Sequence, residues 1–100
     1  MPSAPPTCVV SGVLYDDTNP VPTGTPVYYR LVSPPPIAGL AYTGASKEVL
    51  TDGAGNFSVT CWQNAEYQFW VGSGEHQTVL TGTNTEIDCP PLMGGQTPPP

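Results

Sequence analysis

The chain has 100 residues, with 2 Lys or Arg against 8 Asp or Glu, and a formal net charge of −6. That length fits one domain of about 100–150 residues, and the scarcity of basic side chains excludes phosphate-backbone binding and polybasic docking on anionic membranes. Its 14 Pro and 11 Gly would suit a disordered coil, but a hydrophobic share of 38% supplies enough apolar surface for one modest core.

In chain order, residues 1–6 (MPSAPP) predict an extended proline-rich arm, because proline cannot donate to a strand ladder. They hold neither the basic n-region nor the apolar h-region of a secretory leader, so synthesis in the cytoplasm is expected, with an already processed chain as the alternative. A β-sheet domain then occupies residues 7–89. Its first run, residues 8–15 (CVVSGVLY), sets Val9, Val13 and Tyr15 on one face and Cys8, Val10 and Leu14 on the other. The second, residues 26–32 (PVYYRLV), sets Val27, Tyr29 and Leu31 opposite Tyr28, Arg30 and Val32. Pro34-Pro35-Pro36 interrupts the pattern, and residues 37–46 read as a long connection.

Residues 47–51 form a short polar–apolar run. In residues 56–61 (NFSVTC) Phe57, Val59 and Cys61 are predicted inward. Residues 66–71 (EYQFWV) group Tyr67, Phe69 and Val71 on one face. Residues 77–80 and 85–89 complete seven runs, with Val79 and Ile87 as inward candidates. The separators are Asp16-Asp17-Thr18-Asn19-Pro20, Asp52-Gly53-Ala54-Gly55, Gln63-Asn64-Ala65, Gly72-Ser73-Gly74 and Gly82-Thr83-Asn84. Seven short alternating strands between such turns predict an all-β protein, either a barrel or an antiparallel β-sandwich of immunoglobulin-like type. Residues 90–100 (PPLMGGQTPPP) predict a second proline-rich arm with polyproline character.

Cys8, Cys61 and Cys89 lack the spacing of a zinc site, and His76, the sole histidine, stands in no relation to them. Buried thiols acting as small hydrophobes are expected, with one disulfide and a leftover thiol as the alternative. Asp16, Asp17 and Asp52 suggest a calcium turn, yet adjacent side chains on an extended segment diverge, which favours turn capping. Ser73, Glu75 and His76 lack the spacing of a nucleophile elbow, and Glu48 and Glu66 have no identifiable acid–base partner. No catalytic residue, cofactor or metal is therefore expected.

Two segments carry a family signature: Val10-Ser11-Gly12-Val13-Leu14-Tyr15-Asp16 followed by Gly24-Thr25-Pro26-Val27, and Thr51-Asp52-Gly53-Ala54-Gly55-Asn56-Phe57 followed by Tyr67-Gln68-Phe69-Trp70-Val71. Over residues 9–71 the chain resembles the carboxypeptidase regulatory-like domains, which implies a transthyretin-like seven-stranded sandwich and a non-catalytic module. The turn chemistry has its own reasons: Gly55 can adopt positive φ and Asp52 can cap the turn. Transthyretin-like hydrolases depend on a terminal Tyr-Arg-Gly-Ser motif and His and Arg clusters, which this chain does not match. As a stand-alone domain it is similar to small phage virion proteins, the capsid decoration (cement) and fibre subunits. That similarity implies a homo-oligomer, a dimer or trimer, on the capsid surface, with the major capsid protein or another virion subunit as partner.

The candidate interface residues are Trp62, Trp70, Tyr28, Leu92 and Met93. If Tyr67 and Phe69 face the core, Trp70 faces outward, suited to a protein interface or, as the alternative, to carbohydrate or receptor binding in a fibre or adhesin. Ordinary packing under a loop is the plain counterpart. Leu92 and Met93 could anchor the C-terminal arm in an apolar groove, against the default of a frayed end.

Overall fold

The structure, a computed structural model, describes residues 6–16 and 18–92. Among these there are nine β-strands and no helix: β1 (Thr7–Val13), β2 (Tyr15–Asp16), β3 (Asn19–Pro20), β4 (Pro26–Ser33), β5 (Lys47–Leu50), β6 (Asn56–Trp62), β7 (Glu66–Trp70), β8 (Gln77–Leu80) and β9 (Glu86–Asp88). They build a three-stranded sheet in the order β6-β1-β9 and a four-stranded sheet in the order β5-β4-β7-β8, with β2 and β3 forming a ribbon of their own. The arrangement is all-β and sandwich-like.

Period two decides which side chains meet between the sheets. From the first sheet, Cys8, Val10, Phe57, Val59 and Cys61 are buried; from the second, Val27, Tyr67, Phe69 and Val79. Phe69 is wholly enclosed, and burial of a side chain this size is worth about 1.5–3 kcal/mol. The alternate residues Val9, Val13 and Tyr15 remain exposed, which settles the choice of inner face in the first run. Val71 and Ile87 pack partly buried against the cluster.

The crossings between sheets are held by local chemistry. Between β5 and β6, the Asp52 carboxylate accepts from the backbone N–H groups of Ala54 (2.8 Å) and Asn56 (2.9 Å). Gly55 sits there at φ +79°. A Cβ on it would run into the Leu14 carbonyl oxygen, so only glycine fits the turn. Between β6 and β7, Asn64 adopts φ +55°, the left-handed conformation asparagine tolerates better than most residues.

Two features depart from the sequence expectations. The sandwich is not wholly antiparallel: β9 runs parallel to β1, with Val9, Val10 and Ser11 opposite Glu86, Ile87 and Asp88. The chain leaves β8 through residues 81–85, crosses to the other sheet and enters alongside β1 in the same direction. The separator Asp16-Asp17-Thr18-Asn19-Pro20 contains a small ladder, with Tyr15 opposite Pro20 and Asp16 opposite Asn19; β1 accordingly stops at Val13. Just before β1, the Pro6 carbonyl accepts from Gln63 N–H at 2.9 Å. The rest of the N-terminal arm and residues 93–100, Met93 included, lie outside the described residues, as does Asp17.

Candidate binding face

Burial of Tyr67 and Phe69 turns the other parity of β7 outward, onto the free face of the four-stranded sheet. Register brings Trp70 opposite Tyr28 and Gln68 opposite Arg30. The rings of Tyr28 and Trp70 stack with centroids 6.1 Å apart and planes inclined by 24°. On the far side of β7, the His76 imidazole lies 4.0 Å from the Trp70 ring at 19°. Trp70 is thus held between Tyr28, on one neighbouring strand, and His76, at the entrance to the other. One step along the strands, the Arg30 Nε–H donates to Gln68 Oε1 at 3.2 Å. Glu48 lies beside Tyr28 in the β4–β5 register, and Leu80 at the other margin is largely exposed. The face is an aromatic row, Tyr28, Trp70 and His76, with Arg30 and Glu48 beside it.

Trp62 does not join this row. It ends β6, in the other sheet, and is partly buried against the core. Its ring meets Tyr42 edge-on at 6.2 Å and 75°. Its backbone N–H donates to the Tyr67 hydroxyl at 2.9 Å. Burial pushes that phenol up to about 12, although the Trp62 N–H bond pulls the other way. Trp62 and Tyr67 serve the core and the crossing between sheets.

Leu92 lies apart from both tryptophans. It lines an open groove of about 840 Å³ at one end of the sandwich, with Gly12, Leu14, Val49, Phe57 and Cys89. It packs against the core as part of that wall. The carboxylates of Asp52 and Asp88 border the groove. Asp52 is spoken for: its two backbone N–H bonds hold its carboxyl below the ordinary carboxylate range.

Among the described residues no cluster of three His, Cys, Asp or Glu could hold a metal ion. The three thiols are free. Burial raises Cys61 to about 12, with the neighbouring Cys8 and Cys89 adding to the effect; burial raises Cys89 to about 11. His76 is exposed, and its stacking on Trp70 was not visible in the sequence. Parity gives the side of the sheet on which Trp70 lies, but the β4–β7 register that pairs it with Tyr28 has no local signal.

The chain matches no family model, and neither a curated protein nor a solved structure is significantly similar to it.

Proposed function

We propose that the chain is a non-enzymatic structural module, a transthyretin-like seven-stranded sandwich that decorates and stabilises a virus shell. Its partner is the major capsid protein or another virion subunit, and it works on the capsid surface as a homo-oligomer. The three-stranded and four-stranded sheets support the seven-strand description, with β2 and β3 as a small addition in the first crossing. The observation that carries the function is the Tyr28–Trp70–His76 row on the free face of a sheet. Rigid aromatic side chains lose little freedom on binding, and contact surfaces are enriched in them. Weak contacts repeated over a symmetric shell reinforce one another through effective concentration.

The test is cosedimentation of the tagged chain with shells purified from the same infected cells. Wild type should travel with the shells, and Trp70→Ala should stay in the supernatant while keeping its circular dichroism spectrum. Wild type left in the supernatant overturns the reading.

Carbohydrate binding would use the same tryptophans. A sugar ring stacks on an open aromatic face, and both faces of Trp70 are flanked by other rings, which counts against it here. Saturable quenching of tryptophan fluorescence by sugars, lost in Trp70→Ala, would restore that alternative.

A further inference from the structure

Cys8 and Cys61 stand directly opposite each other on β1 and β6. The phase of the ladder follows from its two ends. Gln63 N–H donates to the Pro6 carbonyl, and Leu14 N–H to the Gly55 carbonyl. Counting by twos from either end makes Cys8 and Cys61 a hydrogen-bonded pair, with Cα atoms about 5.5 Å apart. Disulfides span about 4.4–6.8 Å between Cα atoms. Both side chains project from the inner face, at 0% and 1% exposure, next to Val10 and Val59.

Cys89 is a poor partner for either. Its backbone N–H donates to the Ser11 carbonyl at 2.7 Å, which places it three residues along β1 from Cys8, or about 10 Å at the usual rise per residue. It sits instead beside Gly12, where an added Cβ would meet Cys89 Cβ at 3.3 Å and the Phe57 ring at 2.8 Å.

We propose that Cys8 and Cys61 are a disulfide-forming pair, joined when the chain folds in the presence of a disulfide oxidant such as glutathione disulfide, with Cys89 left as a free thiol. One cysteine thiolate attacks glutathione disulfide, forming a mixed disulfide and releasing one glutathione. The second thiolate attacks the cysteine sulfur of that mixed disulfide and releases the other glutathione. Two electrons and two protons pass from the cysteine pair to the two glutathiones. The reaction belongs to folding, because the finished core encloses both sulfurs, and burial pushes both thiols up.

The experiment is to refold the reduced full chain in a mixture of reduced and oxidised glutathione, block remaining thiols with iodoacetamide and map the peptides. Cleavage after Arg30 and Lys47 leaves Cys61 and Cys89 in one peptide, so Cys89→Ser is refolded in parallel. The expected result is a cross-link between the Cys8 and Cys61 peptides in wild type and in Cys89→Ser, with Cys89 alkylated in wild type. The oxidised chain should also unfold at higher urea than the reduced one. Three alkylated cysteines in wild type, or loss of the cross-link in Cys89→Ser, overturns the proposal.

Discussion

Thr81 and Ala65 are bound to each other twice: Thr81 N–H donates to the Ala65 carbonyl at 3.0 Å, and the Thr81 hydroxyl oxygen accepts from Ala65 N–H at 3.0 Å. The same hydroxyl donates to the Trp62 carbonyl at 2.6 Å. One fully buried side chain thereby serves the backbone of the β6–β7 crossing, where no strand partner is available. Buried backbone groups left without partners cost about 1–3 kcal/mol each. Thr81→Val keeps the shape and orphans two of them, so it should lower unfolding stability by about 2–4 kcal/mol, measured by urea denaturation.

Two glycines at positive φ should respond differently to alanine. Gly24, at φ +86°, has open space around its missing Cβ, whereas at Gly55 the Leu14 carbonyl stands in the way. Gly24→Ala is expected to cost about 1 kcal/mol for the left-handed backbone alone, and Gly55→Ala more than about 2 kcal/mol. Equal losses for the two variants in thermal unfolding would contradict the close approach of the Leu14 carbonyl to this turn.

The hydroxyls of Tyr42 and Tyr67 make a matched comparison. That of Tyr67 accepts from Trp62 N–H, whereas that of Tyr42 is buried with no hydrogen-bond partner among the described residues. Removing a partnered hydroxyl exposes the loss, and removing an orphan relieves one. Tyr67→Phe should cost about 1–2 kcal/mol, while Tyr42→Phe should be neutral or stabilising by up to about 1 kcal/mol. Destabilisation by Tyr42→Phe would mean that its hydroxyl is satisfied in solution.

Alkaline pH should weaken the reduced fold. Cys61 rises from 9.0 to about 12 on folding, so between these values the unfolded chain has lost a proton that the native chain retains. Stability linked to this group is full below pH 9.0 and drains away as pH rises toward about 12. Cys61→Val removes the titrating thiol, and its urea midpoint should decline less over that window than wild type. Parallel declines would assign the alkaline loss to other groups.

Much of the fold was legible because period two is a local property. Phe57, Val59 and Cys61 alternate with Asn56, Ser58 and Thr60, and burial follows that alternation. The Asp52–Gly55 turn was legible as well, since a capping carboxylate and a glycine at positive φ are short-range chemistry. The parallel β1–β9 pairing was not, because it joins residues from opposite parts of the chain without any repeat to announce it. The same holds for the candidate site: Trp70 could be assigned a side from Tyr67 and Phe69, but its neighbours Tyr28, on β4, and His76, in the loop before β8, are brought to it by register and packing. Leu92 and Trp62 shared only composition with that row, and the fold puts them in other surroundings.

The parallel β1–β9 pairing also has a mechanical consequence. The chain enters β1 at Thr7 and leaves β9 at Asp88, and parallel strands put those points at opposite ends of the shared ladder. A pull applied through the flanking residues therefore runs along the ladder, as in shear. The β1–β9 hydrogen bonds, from Val9 N–H to Thr85 and from Cys89 N–H to Ser11 among them, take the load together instead of opening one after another. A domain strung this way resists stretching between its ends more than its modest size would suggest.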